Sequence, residues 1–443
     1  MTPPAILLAL LVPVAVRAQE TPAAAPPLSL SIEQAIEKAL EQSEDVRIGG
    51  ERRERMEDTY VKVKGQAYPQ IDGSLRWSHY ADKPITVADF GGGPRKVEMM
   101  RAWELEAGAT LSQVLWAFGK VSTAIDIARR AIDLEGLAQD ATRNEVSFAA
   151  KQAYLTILLA QDTLAIAEES YQNALENQRA LTSRMGGGRA SRVDNVKMAA
   201  DAQSRVPPKL EARRRHNSLM IAFKRLIGAE ADAEVALTDA MSEEFPEQSR
   251  SELLERMTAN EPSLRVARRR IGLNDEIVRL RKADNLPTLS ALSRFRYYGN
   301  AEDPIPGSLY RDPSLLVGVQ LSVPIWHGGT WRGALEEAER DRNISSFAYD
   351  KRRRDLGAEL DSALSEYASA VGIYRAAQEA LKLAEESYGI SLSSFKAGKA
   401  SQLQLNDAEL QLTSAKLGAK RSLYDINLIM ARIEKLAGPE SGK

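Results

Sequence analysis

The chain has 443 residues of which 27% are charged, yet its formal net charge is only −2. That balance argues against a nucleic-acid partner, because such surfaces draw most of their affinity from an excess of Lys and Arg. The absence of cysteine excludes a disulfide framework and a thiol for lipid attachment.

Residues 5–16 form a short apolar run, followed by Val16-Arg-Ala18 and Gln19. Residues 1–18 are therefore expected to be a signal peptide cleaved after Ala18, with 19–30 an N-terminal linker. No later segment is apolar enough for a transmembrane helix, so any membrane span must be made of strands.

A first unit, residues 31–228, opens with a helical stretch and then changes period at Tyr68-Pro69. Ile71, Leu75 and Trp77 alternate with Asp72, Ser74, Arg76 and Ser78. After a long loop over 81–98, Trp103, Leu105, Ala107, Ala109 and Leu111 alternate with Glu104, Glu106, Gly108, Thr110 and Ser112. Each stretch has about the ten residues that a tilted strand needs to cross a bilayer. From 119 to 185 there is no proline, and apolar residues recur in steps of four and three, among them Ala150, Ala153, Ile157, Ala160 and Leu164. The pattern predicts a coiled-coil helix roughly 100 Å long, turning at Gly186-Gly-Gly188. Pro207-Pro208 should break or kink the return helix.

Residues 229–250 read as an equatorial linker between repeats, 251–438 as a second unit in the same order, and 439–443 as a tail. Leu286-Pro287 answers Tyr68-Pro69 at an offset of 218, and Leu321-Ser-Val-Pro-Ile-Trp326 answers Leu111-Ser-Gln-Val-Leu-Trp116 at 210. Gly398-Lys-Ala-Ser401 likewise answers Gly188-Arg-Ala-Ser191 at 210. The second pair of strands places Arg294 and Arg296 against Leu289, Ala291, Phe295 and Tyr297, then Leu315, Val317, Val319 and Leu321 against Ser314, Gly318, Gln320 and Ser322, with a long loop over 299–313. The unit is far too long for a solenoid repeat, so each half should be a complete module.

Four strands cannot close a membrane barrel, so the chain should oligomerise, with Arg76, Glu104, Glu106, Arg294 and Arg296 facing the shared lumen. His79, His216 and His327 have no neighbours at metal-ligand or triad spacing, and Glu168-Glu169 and Glu385-Glu386 read as solvated helix faces. No active site, cofactor or metal site is expected.

In this order, the signal sequence, the doubled Pro-led strand, the Leu-Ser-x-x-Leu/Ile-Trp strand and the Gly-x-Ala-Ser hairpin resemble the TolC family of outer-membrane efflux proteins over about residues 28–438. The resemblance implies an α/β membrane protein. Three identical chains would give four strands each to a twelve-stranded barrel in outer-membrane lipid, continued by a helical tunnel in the periplasm of a Gram-negative bacterium. It further implies docking tips at Gly188, Arg189, Ala190 and Ser191 and at Gly398, Lys399, Ala400 and Ser401, meeting a periplasmic adaptor of an inner-membrane transporter. Asp194 and Asp407 match positions that narrow the tunnel in such proteins, and Gln404 stands where some carry another Asp. The expected function is a passive duct of a tripartite system, with small molecules as the default cargo because no Met or His cluster favours metal ions. The alternatives are a duct for type I protein secretion and a soluble periplasmic coiled-coil adaptor or scaffold.

Overall fold

A computed structural model describes residues 28–185, 192–302 and 310–439. The expected signal peptide and the first tip, Gly188 to Ser191, lie outside the described residues.

Each half begins with an 11-residue helix and a 22-residue helix meeting at a sharp joint. The first pair is α1 (Ile32–Gln42) and α2 (Glu44–Gly65); the short strand β1 (Leu28–Leu30) precedes it. The corresponding pair in the second half is α6 (Arg250–Asn260) and α7 (Pro262–Ala283). The joints are capped by different chemistry at equivalent places. Ser43 Oγ accepts from Val46 N–H at 3.4 Å, and Glu261 Oε2 accepts from Leu264 N–H at 2.6 Å. Each side chain satisfies an amide that the new helix leaves without an internal acceptor.

The chain then enters strands β2 (Gln70–His79), β3 (Ile85–Asp89), β4 (Pro94–Glu98) and β5 (Trp103–Trp116) in the first half. β6 (Val235–Leu237) lies between the repeats, and β7 (Thr288–Ala301) and β8 (Tyr310–Ser322) belong to the second. β2, β5, β7 and β8 form one antiparallel sheet in that order, so the two repeats join where β5 pairs with β7. β2 and β8 are edges with no partner among the described residues. Lys120 fixes the junction below the sheet: its ammonium donates to the carbonyls of Leu286, at 2.8 Å, and Asp284, at 3.3 Å.

The long helices have the expected length. α3 (Lys120–Met185) and α8 (Thr330–Lys396) contain 66 and 67 residues. At 1.5 Å per residue each spans about 100 Å. The return of the first hairpin is divided into α4 (Arg192–Ser204) and α5 (Val206–Leu226), and that of the second is one helix, α9 (Gln402–Ala437). The division falls at Pro207-Pro208 as expected. Neither proline can donate to the carbonyl four residues back, so Gln203 and Ser204 lose their usual partners.

The predicted seam is buried: Leu360, Ala363, Leu405 and Ile426 are fully inaccessible. A belt around the middle of the hairpins adds a second core, where Leu30, Ala35, Ala39, Ala150, Tyr154, Ile157 and Phe223 pack together. Here β1 pairs in parallel with β6, so the two stretches read as linkers, 19–30 and 229–250, meet as a small sheet. The loop expected over 81–98 is itself mostly a hairpin, with β3 and β4 in antiparallel register from Ile85 opposite Glu98 to Asp89 opposite Pro94. Asp89 Oδ1 accepts from the amides of Gly91 and Gly93, at 2.9 and 3.1 Å, so a side chain organises the turn.

Candidate functional site

The four-stranded sheet has two chemically distinct faces. Residues opposite one another in an antiparallel ladder share a face. Arg76, Glu106 and Tyr298 are therefore neighbours across three strands, as are Asp72, Thr110 and Arg294, and Ser74, Gly108, Arg296 and Ser314 are neighbours across all four. All five residues assigned to the lumen by alternation, Arg76, Glu104, Glu106, Arg294 and Arg296, fall on this one face. Arg76 lies 3.6 Å from Glu106, and the Tyr80 hydroxyl donates to Glu104 at 2.6 Å.

The other face carries Ile71, Leu75, Trp77, Trp103, Leu111, Phe295, Leu315, Val317, Val319 and Leu321. Leu75 and Val317 are each 74% exposed in the single chain. An apolar patch of that extent on a sheet needs a covering medium, and a soluble coiled-coil adaptor gives no reason for it. At the loop end of the sheet Trp77, Trp103 and His79 stack, with centroids 4.9 and 4.3 Å apart. At the helix end Trp116 and Trp326 are exposed. Aromatic rings at two levels flanking an aliphatic band match the two interfaces of a bilayer. No described helix is long and apolar enough to cross a membrane.

At the far end of the hairpins the second tip is fully described. Gly398, with φ of 78°, ends α8; its amide donates to Phe395 O at 2.9 Å, and that of Lys399 to Ser394 O at 2.8 Å. These are the two bonds of a Schellman motif, which calls for a left-handed residue and so for glycine. Ser401 then caps α9 in a reciprocal box with Gln404. The Gly-x-Ala-Ser motif is thus a folding instruction, helix stop followed by helix start, whatever else it does. Gly398, Lys399 and Ser401 are exposed and Ala400 half-buried. Beneath them Leu181, Met198, Phe395 and Leu405 form a small core that ties the end of one hairpin to the other.

The three residues expected at the constriction differ in setting. Asp194 is half-buried in the first turn of α4, where the helix dipole favours an acid. Asp407 is exposed beyond the first turn of α9, where that effect has faded. Gln404 is exposed, but its side chain is engaged in the cap.

A buried polar cluster lies about a turn further from the tip, and sequence reasoning missed it. Glu409 on α9 is 1% exposed, and both its carboxylate oxygens lack a hydrogen-bond partner. Burial pushes its carboxyl up to about 7, against the pull of Arg205 and with the push of Asp201. Arg205, 7% exposed at the joint between α4 and α5, donates to Ser170 at 3.1 Å and to Asp201 at 3.3 Å. The signal was present: Glu409 stands four residues after Leu405 and three before Leu412, the spacing of a helix face. A seam drawn through Ala408 alone passes it by, because α9 packs on both α8 and α3 and so buries a wider arc.

Among the described residues no group of three His, Cys, Asp or Glu could hold a metal ion. His79 and His327 are stacked on Trp103 and tilted against Trp331.

Comparison with known proteins agrees with this architecture. The model of the outer membrane efflux protein family matches residues 35–229 and 253–438, one match for each repeat. The chain is 24% identical over 292 residues to the alkaline protease secretion protein AprF of Pseudomonas aeruginosa, a match covering 65% of this chain and 60% of that relative's length. The fold resembles the crystal structure of CusC, at 17% identity and a TM-score of 0.76 with 92% of each chain covered. It also resembles the Campylobacter jejuni outer membrane channel CmeC, at 16% identity and 0.75, covering 92% of this chain and 85% of that one. The open state of the Neisseria gonorrhoeae MtrE outer membrane channel matches at 18% identity and 0.72, covering 92% and 89%. With both halves matched in sequence and nearly the whole chain matched in fold, the chain belongs to the outer membrane efflux protein family, and its fold is that of an outer-membrane channel.

Proposed function

We propose that three copies of this chain assemble into a passive export duct, twelve strands closing a barrel in the outer membrane and the hairpins closing a tunnel across the periplasm. The observation that carries this reading is the four-stranded sheet with two free edges, one apolar face and one charged face, set on helices about 100 Å long. Such a sheet leaves ladder groups unpaired in lipid unless it joins others around an axis. Arg76, Glu104, Glu106, Arg294 and Arg296 then line the lumen.

The tips at Gly398, Lys399, Ala400 and Ser401, and their counterparts Gly188, Arg189, Ala190 and Ser191, dock on a periplasmic adaptor that couples the duct to an inner-membrane transporter. Asp194 and Asp407 stand at the narrow end, where three copies of each form rings that favour cations. The duct performs no chemistry of its own. Small molecules are its cargo; the likeness to AprF, an alkaline protease secretion protein, supports a second reading in which it passes polypeptides.

Conductance in planar bilayers tests the duct: the purified protein should form cation-selective channels, and Asp407→Asn should lower that selectivity. Unchanged selectivity would remove Asp407 from the constriction. For the cargo, cells lacking the chain should retain a fluorescent efflux substrate; normal efflux with loss of a secreted protein would favour the second reading.

A further inference from the structure

The cluster around Glu409 sits where the first hairpin is weakest. α4 ends at Ser204, α5 begins at Val206, and Arg205 bridges them with helical φ and ψ of −80° and −15° but no side-chain cap. With Pro207 and Pro208 unable to donate, the joint keeps the backbone bonds from Arg205 N–H to Ala202 O at 3.2 Å and from Lys209 N–H to Arg205 O at 3.3 Å, and the Arg205 side chain ties it to Ser170 on α3 and Asp201 on α4. The ungated alternative is visible in the second hairpin, where α9 runs through without a break.

Glu409 faces this joint from α9. The charged and titratable groups around it are Arg205 and Asp201 from the joint and α4, and Tyr388 from α8. Glu169 and Glu176 on α3 act on Tyr388, and Glu169 is held by Lys416 at 2.7 Å. Among the described residues Arg205 is the cation that acts on Glu409, and it is committed to Asp201. A cavity of about 450 Å³, lined by Ser170, Asp201, Ser204, Arg205, Pro208 and Leu410 among others, adjoins the guanidinium and leaves it room to move.

We propose that Glu409 and Arg205 form a proton-operated hinge: while Glu409 is neutral Arg205 stays on Asp201 and Ser170, and when Glu409 loses its proton it draws Arg205 across and the α4–α5 joint bends. The arrangement described here is the neutral one, since a buried carboxylate without a single hydrogen bond would be costly. Ionised Glu409 needs a partner, and Arg205 is the cation that acts on it, at a joint where two carbonyls lack their helical amides. Asp201, left behind, turns to the cavity. The hinge would swing α4, which begins at Arg192 just after the first tip in sequence, relative to the second hairpin. The charge change falls near neutral pH, where burial has placed this carboxyl. This gating role rests on the reading of the tips as the tunnel's narrow end; the hinge itself does not.

The chain has no cysteine, so two introduced ones can carry spin labels without interference. Lys197→Cys on α4 and Glu386→Cys on α8 are exposed sites that report on the hinge. Labelled chains would be diluted among unlabelled ones in the solubilised protein, and the distance measured at about pH 6 and about pH 8, either side of the transition. The mean distance is expected to shift between them. Glu409→Gln should hold the low-pH distance throughout, and Glu409→Asp should restore a shift. A distance independent of pH in the labelled chain, or a shift that survives Glu409→Gln, overturns the hinge. A shift in distance with no matching change in bilayer conductance keeps the hinge and counts against the tunnel reading.

Discussion

Ser401 and Gln404 hold each other at the start of α9: Ser401 Oγ accepts from the Gln404 amide at 3.3 Å, and Gln404 Oε1 accepts from the Ser401 amide at 2.9 Å. The residue proposed to take the place of an acid at the tunnel's narrow end is therefore occupied in holding the turn. Gln404→Ala should leave the Ser401 amide without an acceptor and weaken the helix start by about 1 kcal/mol. Hydrogen exchange at Ser401 is expected to quicken roughly 5-fold, because 1 kcal/mol is about that factor in an opening equilibrium. Cation selectivity should not change; a fall would mean that Gln404 also faces the ions.

At the belt, Tyr154 is inaccessible, and its hydroxyl donates to Leu30 O at 2.9 Å while accepting from the Asp239 amide at 3.0 Å. One phenol thus ties α3 both to the first strand and to the segment between the repeats. Tyr154→Phe keeps the ring packed on Phe223 and removes only the oxygen. The half-buried Asp239 amide loses its partner while the Leu30 carbonyl keeps the Thr238 amide at 3.0 Å, at a cost of about 1 kcal/mol. Exchange of the Asp239 amide should rise at least about 5-fold, with little change in the seam around Leu360 and Ile426. An unchanged rate at Asp239 would mean that the linker is anchored elsewhere, for instance by its own Asp239 carboxylate on the Ile32 amide.

Periodicity made the strands, their faces and the long helices legible in the sequence. A period of two sorts Arg76 from Trp77 without reference to any partner, and no competing signal interrupts it. The hairpin over 85–98 was hidden because its strands are short and neither buries a face, so their residues alternate weakly. The pairing of Leu28–Leu30 with Val235–Leu237 was hidden for another reason: three residues carry no period, and their partner is more than two hundred positions away. Glu409 shows the limit within a helix. A seven-residue pattern marks the face toward one neighbour, but burial of this carboxylate follows from a second neighbour that the pattern does not encode.

The face assignment makes a sharp prediction on β8. Val317 lies on the apolar face and is 74% exposed in the single chain, whereas Gln320 lies on the face shared with Ser290. Val317→Arg should cost about 2–4 kcal/mol if the position sits near the bilayer midplane. Protein recovered in the outer-membrane fraction should drop steeply. Gln320→Arg, on the same strand, should assemble normally and alter only conductance. Equal tolerance of both substitutions would contradict a lipid-facing sheet.

Stability should also depend on Glu409 with an unusual sign. Its carboxyl is raised from an ordinary value of 4.5 to about 7, so the folded chain holds a proton that the unfolded chain has released. Below about pH 4.5 both states are protonated and the group contributes no pH dependence. As pH rises from there to about 7, stability falls, and above that the loss is complete. At about 1.4 kcal/mol for each unit, the loss is at most about 3.5 kcal/mol per chain, less whatever Arg205 restores by moving across. Glu409→Gln cannot ionise and escapes the loss. Thermal melts of the two proteins should therefore coincide near pH 4.5 and separate toward pH 8, with the Gln variant the more stable. If the Gln variant were instead the less stable at high pH, the ionised carboxylate would already have a good partner in the resting chain, and the joint at Arg205 would have nothing to answer.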